Sequence, residues 1–250
     1  MIFRILVFLS VPVLLLTGCR AWNVTKDVYR GYVLPAEVDV HAKADVDETV
    51  KELAASVTPV DQGLESLLRS LRSMDSPTEE GFLALLSAYP WLNGAVAFTP
   101  SGRILQRVPE QSVKQIHIQD LLQDMHTGKT SMDLVVVQSD LGPEMCVINP
   151  MQNGGEVEDY VAVHFDPRSL VQQGPRPDSL LLVHQGSVVW SGLGGEVESR
   201  IQELNWEQLL QSEVQGDFVL SQQRFGWLAR YIGVHPLVYV VRIPDKPVRS

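Results

Sequence analysis

The sequence predicts an α+β protein, a long N-terminal helix followed by two antiparallel-sheet lobes, on three observations. From Val50 to Leu71 apolar residues recur at alternating spacings of three and four, the period of one helix face. From Asn93 onward the period falls to two, or to short apolar runs bounded by Gly, Pro and Asn, which is the pattern of strands and turns. After Gly174-Pro175-Arg176-Pro177-Asp178 the order of hairpin, helix and three strands returns.

The chain opens on Arg4, an apolar run from Ile5 to Leu16, and then Leu16-Thr17-Gly18-Cys19. A basic start, a short apolar run and small residues describe a secretory signal, and the run is too short to be a comfortable membrane span. Leu-Thr-Gly-Cys in this position resembles the lipobox of bacterial lipoproteins. That resemblance implies removal of residues 1–18 and a mature chain that begins at an acylated Cys19; the alternative is an ordinary signal peptide with a coincidental cysteine. Arg20 does not match the aspartate that retains such proteins in the inner membrane. The resemblance therefore places the protein in the cell envelope facing the periplasm, with the outer membrane favoured over the inner. Residues 19–46 carry Gly31, Pro35 and scattered charges without a clear period, and read as a tether.

Val50, Leu53, Val57, Val60, Leu64, Leu67 and Leu71 predict a helix from about Asp47 to Arg72 with all seven on one face. Pro59 removes one of its hydrogen bonds, so a kink or a break is expected near Val57; the register continues past it, which favours the kink. Ser76-Pro77-Thr78-Glu79 reads as a capping box that starts a second helix, which ends before Pro90. Thr99-Pro100-Ser101-Gly102 suits a type I turn between strands at 95–98 and 104–108. A helical insert around Ile116 to Met125 follows, then strands at Leu134 to Val137, Glu144 to Ile148 and Tyr160 to Phe165. The first lobe is thus expected within 47–173 and the second within 174–250. In the second lobe, strands at Leu180 to Val183 and Ser187 to Trp190 flank His184-Gln185-Gly186, and Val197, Ile201 and Leu204 line a helix. Strands at Asp217 to Leu220, Trp227 to Tyr231 and Leu237 to Val241 complete it.

The formal net charge of −10, with 30 acidic against 20 basic residues, argues against partners that attract basic stripes, nucleic acid and anionic membrane surfaces alike. The roughly 230 residues left after the signal are enough to bury a core without crosslinks. Cys146 is the one other cysteine, so no intramolecular disulfide is expected once Cys19 is acylated; its setting in Met145-Cys146-Val147-Ile148 reads as buried strand. No second apolar stretch reaches about 18 residues, and neither a transmembrane helix nor a cytoplasmic output domain is expected.

The order of elements resembles the double Cache family of extracytoplasmic sensor domains, in which each lobe is PAS-like. The matching details are Tyr89-Pro90 ahead of the first strand, the Ser101-Gly102-Arg103-Ile104 hairpin, Gly128-Lys129 after the insert, Asn149-Pro150, and Val163-His164-Phe165-Asp166 with Ser169-Leu170. The resemblance covers the chain from Asp47 onward and implies a binding module for a small molecule. Asp166 falls where the family has a ligand-contacting aspartate. The Arg-x-Trp-Tyr element of amino-acid-binding members has no counterpart in Gln111 to Ile118, which points away from a standard amino acid and towards an amine or other small polar molecule.

From the residues themselves, His164 and Asp166 are two apart on a strand and share a face with Ala162, while Val161, Val163 and Phe165 face the other way. A carboxylate there would meet a cationic group; the alternative is a solvated strand edge or a cap for the Pro167-Arg168-Ser169 turn. His164 and His117 are candidate wall residues beside Asp166. The six histidines show no close metal-ligand spacing, no cofactor is expected, and the motifs of hydrolases, zinc enzymes and phosphate-binding loops are missing. The second lobe's aromatics, with Trp227 and Tyr231 on one strand face, read as core. Two functions follow: an envelope binding module, not an enzyme, that reports to a signalling or transport partner, or an interaction lipoprotein that uses the lobes as scaffold.

Overall fold

The structure, a computed structural model, describes residues 48–114, 116–125 and 131–244. Cys19, the signal, the tether and the Gly128-Lys129 pair lie outside the described residues. Helix α1 (Glu48–Arg72) leads into α2 (Glu79–Ala88). The first lobe then runs β1 (Gly94–Phe98), β2 (Ile104–Val108), α3 (Ile118–Asp124), β3 (Asp133–Val137), β4 (Glu144–Asn153), β5 (Glu156–Phe165) and α4 (Pro167–Val171). After a single 3-10 turn at Pro177–Ser179 the second runs β6 (Leu180–His184), β7 (Ser187–Ser191), α5 (Gly195–Gln202), α6 (Trp206–Ser212), β8 (Gln215–Leu220), β9 (Gln223–Ile232) and β10 (His235–Ile243).

The two sheets have the same antiparallel order, β2-β1-β5-β4-β3 and β7-β6-β10-β9-β8. In each, the last strand of the meander returns to lie beside the first strand of the hairpin. The α+β class, a long helix followed by two PAS-like five-stranded lobes, is the one expected.

Alternation along the strands divides the apolar residues between three cores. Leu134, Met145, Val147, Val161, Val163 and Phe165 of the first sheet share one core with Leu182, Leu237, Tyr239 and Val241 of the second and with the stripe of α1. The outer face of the first sheet, including Val96, Phe98, Cys146, Ile148 and Ala162, packs under Ile116, Ile118 and Leu121. The outer face of the second packs Val183, Phe225, Trp227 and Val240 with Ile201 and Trp206. The face division expected along β5 is the one seen, with Val161, Val163 and Phe165 towards the helix and Ala162 opposite.

Helix α1 runs without a break through Pro59, as the continuing register led one to expect, because seven buried apolar residues at about 1.5–3 kcal/mol each outweigh roughly 3 kcal/mol for an interior proline. Other local expectations are corrected. Val50 is exposed at 41%; Thr49 is buried in its stead and packs over Gly226 of β9. The cap of α2 is Thr78, two residues beyond Ser76, and its hydroxyl accepts from Gly81 N at 3.1 Å. Strand β4 continues through Pro150 to Asn153, and β5 starts four residues early at Glu156. The helix expected along Val197, Ile201 and Leu204 is α5, which ends at Gln202, and a further helix that the apolar spacing does not signal, α6, starts where Asn205 accepts from Gln208 N. Tyr231 is 45% exposed, beside Val234 in the wall of an open cavity.

Candidate functional site

The first lobe brings its chemistry together where β4 begins and β5 ends. Glu144 opens β4 and is fully buried, a costly place for a charge unless partners surround it. Its Oε1 accepts from Asn93 Nδ2 at 2.6 Å and lies 2.8 Å from His164 Nδ1. An ionised carboxylate only accepts, so Nδ1 of His164 carries the hydrogen. The other ring nitrogen faces Gly94, where a Cβ would sit 2.5 Å from Nε2; glycine is what lets the ring approach β1.

The second oxygen of Glu144 faces Lys114, which arrives from the segment between β2 and α3. Lys114 Nζ donates to Asp166 Oδ2 at 2.7 Å and to the Pro143 carbonyl at 3.0 Å, and stands 3.2 Å from Glu144 Oε2. That last contact is held by charge more than by an aligned hydrogen bond. Burial works against the Lys114 charge, but hydrogen bonds and negative charges from Asp166 and Glu144 outweigh it and hold the ammonium above its ordinary range. Cys146, paired with His164 across β4 and β5, is shut in: burial, then the charge of Glu144, pushes its thiol well up.

Asp166 does two things at once. Its Oδ1 accepts from Arg168 N at 2.8 Å and caps α4, while Oδ2 holds Lys114. Its side chain keeps 32% exposure, the open side of an otherwise closed cluster. The structure thus joins His164 and Asp166 through Glu144 and Lys114. His117 stands apart, exposed at the N-cap of α3 and outside the cluster.

A cavity of about 10 Å³, lined by Val96, Arg107, Pro109, Ser112, Ile116 and His164, adjoins this cluster. Larger openings lie elsewhere. One of about 580 Å³ lies against the second lobe under Trp206 and Leu210, and one of about 440 Å³ lies between β3 and the β6–β7 hairpin. Near the latter, His235 Nε2 lies 3.2 Å from Asp133 Oδ1, and burial pushes the neighbouring His184 below its ordinary range.

Sequence reasoning did not find Asn93, Lys114 or Glu144. One signal was present: an acid heading an apolar strand, Glu144-Met145-Cys146-Val147, has to be paired inside a sheet. Among the described residues, no group of three or more His, Cys, Asp or Glu side chains is placed to hold a metal ion.

No family model and no curated protein matches the sequence. Solved structures do. The ligand-binding domain of the Pseudomonas fluorescens chemoreceptor CtaA, in complex with L-alanine, is 10% identical over 81% of this chain and 99% of its own, at a TM-score of 0.48. The ligand-binding domain of the Pseudomonas aeruginosa PAO1 amino acid chemoreceptor PctC, in complex with GABA, is 10% identical over 78% and 96%, also at 0.48. An extracellular ligand-binding receptor from Desulfohalobium retbaense is 13% identical over 77% of this chain at 0.46, and the chain spans 38% of its length. The ligands named are those proteins' own.

Proposed function

We propose that this chain is a lipid-anchored, envelope-facing binding module of the double Cache type. Its ligand is a small polar molecule with a cationic group, its site is the Glu144–Asp166 end of the first lobe, and an envelope signalling or transport protein reads its state. One observation carries the reading: two carboxylates converge on a single ammonium, one fully buried and one partly open to solvent. The cluster has a surplus of negative charge, and a cation is the chemistry that meets it. Asp166 is the direct contact and His164 orients Glu144; His117, which stands outside the cluster, is left out of the site. No catalytic step is assigned to these residues.

Thermal unfolding of the detergent-solubilised protein against a panel of small amines tests the reading. A ligand at about a hundred times its dissociation constant adds about 2.7 kcal/mol, and at roughly 2–4 °C per kcal/mol the melting point rises by several degrees. Asp166→Ala should abolish that rise. A second reading, an interaction lipoprotein with the lobes as scaffold, is favoured by the small size of the cavity that adjoins the cluster, about 10 Å³, room for one water at most. A panel without any shift makes the scaffold the better account.

A further inference from the structure

We propose that Lys114 is a tethered ammonium that occupies the ligand's place, so that the arrangement described is a self-liganded state of the first lobe; this deepens the amine reading above and rests on it. A primary ammonium has three N–H donors, and the site offers three acceptors, two at the start of β4 and one at the cap of α4. They are the Pro143 carbonyl ahead of β4, Glu144 on β4, and Asp166 at the cap of α4. Lys114 meets them from outside the sheet, with hydrogen bonds to Pro143 and Asp166 and an ion pair with Glu144, on an unbranched alkyl stem that is 9% exposed. Nothing in that coordination requires the nitrogen to be attached to this chain.

Closure of the cavity and seating of Lys114 are one event. Pro109 and Ser112, which line the adjoining cavity, belong to the same segment that carries Lys114. When the Lys114 side chain leaves, a small unbranched primary amine can present the same ammonium and the same apolar stem. A tether holds its own group at an effective concentration in the millimolar range or above, so a free amine competes at a disadvantage set by the fraction of molecules with Lys114 withdrawn. The ligand class is therefore a primary amine. A quaternary ammonium, with charge but no N–H donors, does not replace Lys114.

Lys114→Ala removes the atoms Cγ, Cδ, Cε and Nζ, which together are n-propylammonium. The full protein carrying Lys114→Ala should melt well below the wild type, and n-propylammonium should raise its melting point while n-propanol and tetramethylammonium do not. The concentration giving half of that rise should be at least about tenfold lower than for the wild type. Lys114→Met with Glu144→Gln, which removes charge from both partners, should be insensitive to n-propylammonium. If Lys114→Ala does not fold alone, its refolding yield with and without n-propylammonium becomes the readout, and recovery by the amine alone supports the tether. Equal responses of wild type and Lys114→Ala overturn the tether and leave the amine site standing. Rescue of Lys114→Ala with a wild type silent to every amine supports the tether and overturns an exchangeable ligand. Absence of rescue in the variant, together with a silent wild type, overturns both.

Discussion

At the scale of single residues, the Lys114 cluster sets an alkaline limit on stability. Its folded pKa lies above the ordinary value of 10.5, so the native state binds the proton more tightly than the unfolded chain does. That contribution is fully present below pH 10.5 and is lost as pH rises through the higher folded value. The buried thiol of Cys146 and phenol of Tyr239, both raised chiefly by burial, act with the same sign from their own ordinary values of 9.0 and 10.0 upward. Denaturant unfolding of wild type and Lys114→Met should therefore show a stability gap that is constant at neutral pH and narrows above pH 10.5; a gap indifferent to pH would mean that the ammonium is not held by its neighbours. Legibility at this scale was partial. Asp166 and His164 could be brought together because they are two apart, although β5 ends at Phe165 and Asp166 is the cap of α4 that the Pro167-Arg168-Ser169 turn allowed for. Lys114 could not, since its partners stand 52 and 30 residues away and only the fold brings them near.

At the scale of elements, helix α1 is the common wall of the molecule. Leu64 is fully buried, in the core that both sheets share. Leu64→Asp places an unpaired charge there and should cost about 3–5 kcal/mol, read as a large fall in melting temperature. A neutral effect would mean that the stripe is covered by something other than the sheets. The helix and the strands were legible because burial imposes periods of 3.6 and 2 on the residues that face a core. The ends were less so. Val50 obeys the helical period yet lies where no sheet covers it, and Tyr231 obeys the strand period yet ends in an open cavity. Periodicity states which residues share a face, and the extent of the neighbouring layer decides which of them are covered. Asn205, which starts α6, was hidden by the apolar spacing on either side of it.

At the scale of the whole molecule, the two lobes meet closely. A Cβ on Gly233, in the β9–β10 turn at φ +62°, would lie 2.1 Å from the carbonyl oxygen of Met132 at the start of the first lobe's meander. Backbone approaches backbone here, so Gly233→Ala should both strain the turn and push the lobes apart, lowering the melting temperature more than a typical surface change. A melting point within a degree or so of wild type would show that the seam gives way without cost. The anchor proposed at Cys19 is a separate matter. Two or three acyl chains, at about 0.8 kcal/mol per buried methylene, hold a protein on a membrane where one chain would not. Cys19→Ser should move the processed protein from the membrane to the soluble fraction, and retention on the membrane would remove the lipid from the account.

The shared wall also orders events in time. Helix α1 is made before any strand, but β10, which lies against it in the central core, is the last element of the described chain to be made. Its stripe of leucines and valines must wait for a partner some 170 residues downstream, a separation that makes folding slow and leaves a sticky surface on display meanwhile. Until β10 docks, that face of α1 is the place where two incompletely folded chains would first associate.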